Sequence, residues 1–432
     1  MKLESQRWVA LVACILASMC AGLAYSWSVF LKPLISLFHW SATDTALSFT
    51  LLMFTGGVAA ILVGKAQDKF QPRTVILVGG ILFGSGLACI GFIQSLTQLY
   101  ICVVVAGIGL GAVYPGGTMS NMVKFFPERS GLISGLVSAG YGIGPVVWAP
   151  VSVALLANYG IMTTMKMLGI VFLVIIVLLS RLVKTCPFGF KPDGWIPDHN
   201  KTKAKAATDK NWKQMLKDPL FWPLALTFTL GEITGMMTVG HASPMAQEIL
   251  DISPAAAAAI VSILAVAMTL GKIGWGVISD KIGRYPVIIL LVVLGGAGMA
   301  VLTGISSFGP FVAVTVVIGF CYGGFLSIMA PLTADLFGSN NLPINYGLMF
   351  MTVAIAAFVG PRLASNVVEA NNGIYTEAFI IAALLNFIGL ILYSVFLLLR
   401  KRRATAKTNS YEILTSQGTR YSESGTNVYA DN

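Results

Sequence analysis

The chain has very little charge for its length. Only 11% of its 432 residues are Asp, Glu, Lys or Arg, whereas 56% are hydrophobic. Its mean hydropathy of +0.80 is too high for a soluble domain, whose water-facing surface needs many more ionisable side chains. The composition therefore excludes a soluble fold and predicts an all-α polytopic membrane protein.

Side chains that could build a catalytic or metal centre are also scarce. The chain has three His and six Cys, no two Cys form a CxxC pair, and most lie in apolar stretches. Neither a disulfide framework nor a metal site is expected from this pattern. HExxH, G-x-S-x-G and P-loop motifs are missing as well. We therefore expect no enzymatic activity and no cofactor.

Long apolar stretches are what the sequence does have. Twelve of them reach the ~20 residues that a membrane helix needs, and a Lys-rich polar segment divides six from six. This pattern predicts a six-helix bundle over 1–182, a cytoplasmic linker over 183–218, a second bundle over 219–400 and a disordered polar tail over 401–432. The predicted spans are 8–31, 43–64, 74–94, 98–121, 131–157, 161–182, 219–243, 254–279, 286–306, 310–334, 345–368 and 373–399.

The positive charges predict the topology. Of the 28 Lys and Arg, all but Lys32, Lys166, Lys272 and Arg362 fall in the termini, the linker and the turns after helices 2, 4 and 8. By the positive-inside rule, both termini and the linker are cytoplasmic. The net charge of +10 is therefore a topology signal and does not indicate binding to nucleic acid.

One charged turn occurs twice. Gly64-Lys-Ala-Gln-Asp68-Lys69 recurs as Gly276-Val-Ile-Ser-Asp280-Lys281, and 276 − 64 gives an offset of 212 residues. The pairs Gly144-Pro145 and Gly360-Pro361 repeat at the similar offset of 216. A repeat at half the chain length, with both copies running in the same direction along the sequence, is typical of duplicated transporters.

The twelve spans, the 6+6 division and the two charged turns resemble the major facilitator superfamily over residues 1–400. The resemblance implies a fold of two six-helix bundles and a role for the turns in cytoplasmic gating. The alternative is that the turns only anchor the topology. The gating candidates are Asp68, Lys69, Arg73, Asp280, Lys281 and Arg284.

Five ionisable side chains in or beside the predicted spans are candidates for function, because a charge within a membrane needs a partner, a cavity or a function. Lys272 is eight residues from Asp280, or about 12 Å along a helix. Its ammonium can anchor an anionic substrate, or it can extend to the interface. Glu232 can neutralise Lys272 or carry a proton. His241 is a second proton-coupling candidate or a hydrogen-bonded wall residue.

The remaining two ionisable residues lie nearer the membrane surfaces. Asp335 is expected to cap or pair at the cytoplasmic end of helix 10, and Arg362 to attract anions outside or extend to the interface. Aromatic residues with a polar tip accompany the charges on several helices. Tyr25, Tyr114, Tyr322 and Trp275 are predicted to line the site around Lys272, because a phenol or indole can donate to a carboxylate.

The resemblance can be narrowed. The entry to helix 5, from Phe126 to Gly144, resembles the monocarboxylate transporters. Tyr25-Ser-Trp27, Gly271–Asp280 and Asn341–Gly347 resemble the oxalate/formate antiporter group. The resemblance implies that a cation on helix 8 binds the carboxylate, and Lys272 takes that position. The second cation that oxalate antiporters have on helix 11 is replaced by the apolar run Val353–Ala357. Monocarboxylate transporters of animals have an Asp where this chain has Met268.

A single central cation suits a monoanion. The sequence thus predicts a secondary transporter of small monocarboxylates, of the lactate, pyruvate and formate class, with proton symport and a monomeric protein in the lipid of the cell membrane. Exchange of two carboxylates is the main alternative. A cation or drug exporter and a non-transporting sensor are the others, and an ion pair between Lys272 and Glu232 would favour the cation exporter.

Overall fold

The computed structural model describes residues 3–67, 69–187, 189–192 and 209–424, and every regular element in these ranges is helical. The N-terminal half contains α1 (Leu3–Ala21), α2 (Ser28–Phe38), α3 (Ala42–Ala66), α4 (Pro72–Ile90), α5 (Leu96–Gly111), α6 (Thr118–Phe125) and α7 (Ser130–Ser180). The C-terminal half contains α8 (Trp212–Leu216), α9 (Phe221–Leu250), α10 (Pro254–Ile282), α11 (Arg284–Leu302), α12 (Phe308–Phe337), α13 (Leu342–Ala370) and α14 (Thr376–Ser424).

These helices make up the twelve predicted spans. Ten described segments are long and apolar enough to cross a membrane, and one of them, Pro127–Leu182, holds two spans. Gly160 separates those two, because its φ of 68° and ψ of 173° break α7. The remaining span is α9, which is 30 residues long. The count is therefore 10 + 1 + 1 = 12, and the all-α fold with twelve membrane helices is confirmed.

Two spans that the sequence predicts as continuous are broken near their centres. Helix 1 passes from α1 to α2 through a tight turn at Gly22–Ser26, and this turn carries Tyr25. Helix 4 is interrupted at Ala112–Gly117, where Tyr114 has extended backbone angles (φ −132°, ψ 125°). Pro115 lacks an amide N–H and follows Tyr114, so a regular helix is disfavoured there. Both breaks lie in the N-terminal bundle.

Local sequence signals set the helix ends. Ser41 and Ser253 accept a hydrogen bond from the third residue of α3 and α10, respectively, which satisfies a free amide at each N-terminus. Asn211 and Gln214 form a reciprocal capping box at α8. At the other end of the chain, α14 continues to Ser424, beyond the boundary at 401 where the sequence predicts a disordered tail.

The two bundles meet along two pairs of helices, α3 with α13 and α7 with α10, and the contacts follow the repeat. A Cβ on Gly135 would lie 2.3 Å from the carbonyl oxygen of Lys272, and a Cβ on Gly347 would lie 2.6 Å from that of Ala60. Residues 135 and 347, like 60 and 272, differ by 212 in the sequence. Glycine is required at these positions because the backbones themselves touch.

Candidate functional site

A small cavity lies between the bundles, near the breaks in helices 1 and 4. Its volume is about 30 Å³, which is close to the space that one water molecule occupies in the liquid. No charged side chain is among the residues that line it. They are Tyr25, Met53, Gly56, Gly57, Leu110, Tyr114, Tyr141, Met236, Phe350, Val353, Ala354 and Ala357.

Three tyrosines form one wall of this cavity. The rings of Tyr114 and Tyr141 stack with centroids 4.4 Å apart, and Tyr25 meets Tyr141 edge to face at 4.8 Å. The Tyr114 hydroxyl donates to Ser138 Oγ at 3.3 Å. The wall thus combines apolar ring surface with phenol groups, which is what a small amphipathic ligand needs.

Lys272 lies behind this wall. Its side chain is fully buried, and Nζ has no hydrogen-bond partner among the described residues. Nζ lies 5.9 Å from the centre of the Tyr25 ring and 6.0 Å from that of Tyr141. Across the bundle interface, a Cβ on Gly142 would come within 2.6 Å of Nζ. The ammonium therefore extends from α10 towards the N-terminal bundle, held only by aromatic faces.

Glu232 on α9 is equally buried. Neither of its carboxylate oxygens has a hydrogen-bond partner in the described part of the chain. It is close enough to act electrostatically on the hydroxyl groups of four tyrosines: Tyr25, Tyr114, Tyr322 and Tyr346. The ion pairs found among the described residues do not join Glu232 to Lys272. The carboxyl and the ammonium thus approach the same aromatic wall separately.

Tyr322 belongs to this cluster, whereas Trp275 does not. Tyr322 packs over Gly235, and its buried hydroxyl has no hydrogen-bond partner among the described residues. Trp275 lies against α12 instead: its ring is 5.7 Å from that of Phe320, and a Cβ on Gly324 would come within 2.7 Å of it.

His241 lies away from Lys272, near the outer end of α9. Nε2 is 3.0 Å from the carbonyl oxygen of Pro361, and Nδ1 is 3.0 Å from the hydroxyl of Tyr375. Ser365 Oγ lies 3.2 Å from the same Nε2. A neutral ring that donates from Nε2 towards Pro361 and Ser365 and accepts at Nδ1 from Tyr375 satisfies these contacts. These bonds join α9 to α13 and to the loop before α14. Farther along α13, the exposed Arg362 stacks over the ring of Phe358 at 3.9 Å.

The second charged turn holds the bundles together on the cytoplasmic side. Asp280 accepts hydrogen bonds from the backbone amides of Gly131 and Leu132, at the start of α7, both at 3.0 Å. A carboxylate there is stabilised by the free amides and the dipole of the helix. Arg284 donates to Ser130 Oγ at 2.7 Å and pairs with Asp335 at 2.9 Å. This interface is closed in the structure.

The described members of the two turns other than Asp280 and Arg284 make no such bridge. Lys69, Arg73 and Lys281 are exposed, and Asp68 lies outside the described residues. Beside it, Gln67 donates to the carbonyl oxygen of Gly116 at 2.8 Å and accepts from Ser120. These bonds stay within the N-terminal bundle.

Two residues near the cavity were missing from the predicted site. Tyr141 stacks in the aromatic wall beside Lys272, and Tyr346 has a buried hydroxyl without a partner in the described structure. A tyrosine in an apolar span is ordinarily a packing residue, so only the fold reveals that these two face the charged groups. All six cysteines are free, and no group of metal-ligating residues occurs in the described ranges.

Comparison with known proteins places the chain in a family. The family model of the Major Facilitator Superfamily matches residues 14–244 and 229–417. The chain belongs to this superfamily. An uncharacterized MFS-type transporter of Escherichia coli (strain K12), YhjX, is 30% identical over 361 residues, which cover 82% of this chain and 86% of that protein.

Two further groups of transporters are similar over most of the chain. The oxalate:formate antiporter of Oxalobacter formigenes is 28% identical over 94% of each protein. Monocarboxylate transporter 12 of Xenopus laevis is 24% identical over 87% of this chain and 85% of that one. The proton:xylose symporter XylE shares the fold with a TM-score of 0.70, at 12% identity over 91% of this chain and 96% of that one. As a member of this superfamily, the protein is a transporter that crosses the membrane several times.

Proposed function

We propose that this transporter carries small monocarboxylate anions of the lactate, pyruvate and formate class, together with protons. The observation that carries the proposal is the buried Lys272 ammonium, which has no partner in the described structure and lies at the aromatic wall of the cavity. An unpaired cation inside a membrane protein is costly, and a substrate carboxylate would compensate it. Tyr25 and Tyr114 are suited to donate to the same carboxylate.

The charge of the site favours a monoanion over a dianion. Among the described residues, Lys272 is the one cation at the aromatic wall, and the cavity wall on α13 is apolar, with Val353, Ala354 and Ala357. A second carboxylate would face this apolar surface without a partner, at a cost of several kcal/mol. The small apolar substituent of a monocarboxylate fits against this surface instead.

Glu232 is the proposed proton carrier. Its carboxyl group is buried near the tyrosine hydroxyls, and no ion pair in the described ranges joins it to a cation that would hold it ionised. Uptake of an anion alone would oppose an inside-negative potential by about 2.3 kcal/mol per 100 mV. A proton taken up with the carboxylate removes this cost. The hydrogen bonds of His241 make it a structural contact between α9 and α13 in this proposal.

The cavity has to expand to admit any carboxylate, since about 30 Å³ holds no more than a water molecule or two. Rocking of residues 1–182 against 219–400 is the proposed motion, because the cytoplasmic contact at Asp280 joins the two bundles. Exchange of two carboxylates is the second candidate. It is favoured by the 28% identity with a protein named oxalate:formate antiporter.

The deciding experiment is uptake of labelled lactate, pyruvate, formate and oxalate into proteoliposomes, with and without an inward proton gradient. For Lys272→Gln we expect monocarboxylate uptake to fall about 10- to 100-fold, as for the loss of one charged hydrogen bond. Lys166→Gln is the matched control, because Lys166 stacks on Phe92 outside the site.

The other results have distinct meanings. Uptake that requires a preloaded carboxylate and ignores the gradient would make the protein an exchanger. Oxalate uptake equal to that of formate would contradict the choice of a monoanion. No carboxylate uptake, or uptake that is the same in the Lys272→Gln variant, would overturn the anion site and return attention to cations.

A further inference from the structure

A second pocket lies on the cytoplasmic side of the C-terminal bundle, and none of the residues proposed for the transport site lines it. It has a volume of about 390 Å³, between the end of the linker, the start of α9 and the part of α14 around residue 400. Its lining residues are Lys210, Gln214, Lys217, Asp218, Pro219, Leu220, Leu399 and Arg403. Nothing in the proposed transport mechanism uses this pocket.

The cations of the pocket are held in place by a buried carboxylate. Asp218 is 3% exposed. Its Oδ2 pairs with the ammonium of Lys210 and with Arg403 Nη1, the latter at 3.0 Å, while Oδ1 accepts from the amide of Leu220 at 3.0 Å. Three separate segments thus converge on one side chain. The pocket is a built feature rather than a group of mobile surface lysines.

The backbone of Lys210 is fixed as well. Its amide donates to the carbonyl oxygen of Phe337 at 2.9 Å, and its carbonyl accepts from the side chain of Asn345 at 2.9 Å. Asp209 beside it accepts two hydrogen bonds from Asn340. The last part of the linker is therefore fastened to the turn between α12 and α13, and Lys210 is held at the pocket by main-chain contacts.

The pocket keeps an excess of positive charge. Its lining contains Lys210, Lys217 and Arg403 against the single carboxylate of Asp218, so the net charge is 3 − 1 = +2. Lys217 has no side-chain ion pair or hydrogen bond in the described residues. Lys210 and Arg403 both approach the same oxygen of Asp218, which leaves further N–H donors for an anion.

The surroundings of the pocket are apolar and membrane-facing. Trp222 is 55% exposed, and its indole donates to the carbonyl oxygen of Leu216 at 3.0 Å. An exposed Trp at a helix end is typical of the membrane interface. Farther into the membrane, Leu226 on α9 and Val395 and Leu398 on α14 are exposed, Leu398 by 62%. Basic pockets between membrane helices on this side suit phospholipid head groups.

We propose that this pocket binds an anionic phospholipid, with the head-group phosphate at Lys210, Lys217 and Arg403 and the acyl chains along the outer faces of α9 and α14. The lipid would join the linker to both helices. A soluble anion offers the same phosphate chemistry but cannot use the apolar faces, and this difference separates the two sources experimentally.

The test uses the full-length protein in nanodiscs of phosphatidylcholine and phosphatidylglycerol in equal amounts, with the lipid retained after extraction counted by native mass spectrometry. For Lys217→Gln we expect the excess of phosphatidylglycerol over phosphatidylcholine to fall about fivefold, as for one Lys near a membrane surface. Lys217 is the residue of choice because its replacement breaks no ion pair. Lys213→Gln is the matched control: Lys213 lies in α8, over the Trp212 ring and outside the pocket lining.

Three results would overturn the proposal. An excess that survives Lys217→Gln, or one that falls equally in Lys213→Gln, would show general surface attraction instead of a pocket. Binding of inorganic phosphate in pure phosphatidylcholine discs that depends on Lys217, without a phosphatidylglycerol excess, would assign the pocket to a soluble anion. The outcome is independent of carboxylate uptake, so failure here leaves the transport proposal standing.

Discussion

At the scale of single residues, the molecule places one carboxyl and one ammonium group near the same aromatic wall. Glu232 faces tyrosine hydroxyls, and Lys272 faces tyrosine rings. Because each is fully buried, a charge on either is sensitive to what enters the nearby cavity. A substrate anion near Lys272 and a proton on Glu232 would both lower the electrostatic cost of a loaded site.

Replacement of Glu232 tests its role as the proton carrier. Glu232→Gln keeps the shape but cannot exchange a proton, so gradient-driven accumulation of a monocarboxylate should fall at least about tenfold. Exchange of labelled for unlabelled carboxylate at equal pH should remain, because no net proton movement is needed. Both are measured as uptake into proteoliposomes. Glu248→Gln, at the exposed outer end of α9, is the control, and accumulation that persists in Glu232→Gln would contradict the assignment.

The sequence predicted the charged members of this site better than the aromatic ones. Lys272 and Glu232 are recognisable because an ionisable residue is rare in an apolar span. Tyr141 and Tyr346 carry no such signal, and Trp275, which does look suitable, packs against α12. Whether a side chain faces the cavity depends on the rotation of its helix, which follows from packing against neighbours and cannot be obtained from spacing alone.

At the scale of elements, the breaks in helices 1 and 4 bring Tyr25 and Tyr114 to the cavity. The apolar stretches predicted the number and approximate extent of the spans but not these breaks, because an interrupted helix is as hydrophobic as a regular one. Pro115 was a visible signal for the second break. The turn at Gly22–Ser26 contains no proline and had no comparable signal in the sequence.

The junction of the linker, α9 and α14 depends on a single carboxylate. Burial raises the pKa of Asp218, but the hydrogen bonds and charges of Lys210, Leu220 and Arg403 outweigh it and lower the pKa below the ordinary value of 3.8. A carboxyl whose pKa is lowered by folding stabilises the fold above its ordinary pKa. This contribution is lost as the pH falls through the lowered value.

Asp218→Asn should therefore destabilise the protein at neutral pH, by about 1–3 kcal/mol for a buried charged contact. The difference in melting temperature from the wild type should begin to shrink below about pH 4, where the Asp218 carboxyl of the unfolded chain takes up a proton before that of the folded protein does. Thermal unfolding in detergent, followed by tryptophan fluorescence, measures both. Asp251→Asn is the control, since Asp251 is exposed and Asn tolerates its positive φ of 49°. A difference that is constant down to about pH 3 would contradict the mechanism.

At the scale of the whole molecule, the two bundles repeat one backbone contact but differ in the side chain at that position. The contact of Gly135 with the carbonyl of Lys272 has its counterpart in that of Gly347 with Ala60. The duplicated position thus carries the ammonium in one half and a methyl group in the other. Duplication supplies the symmetric interface on which the bundles can move, and divergence at this position puts the charge on one side of the cavity.

The closed cytoplasmic contact makes a final prediction about this motion. A Cβ on Gly276 would lie 2.4 Å from the carbonyl oxygen of Gly131, so Gly276→Ala cannot form the contact without moving two backbones apart. Moving these backbones apart would also lengthen the hydrogen bonds of Asp280 to Gly131 and Leu132. We expect the variant to populate a form that is open on the cytoplasmic side.

Distances between spin labels can measure this change. Phe70 and Ile282 are exposed, at 54% and 51%, near the cytoplasmic ends of α3 and α10 in opposite bundles, and each can carry a label in a chain whose six native cysteines have been replaced. The longer distances should gain population in Gly276→Ala. The same distances should keep their wild-type population in Gly309→Ala, because an added Cβ at Gly309 meets nothing within 4 Å. If both variants give the wild-type distribution, the close packing at Gly276 does not control the opening, and closure must depend on Asp280 and Arg284 instead.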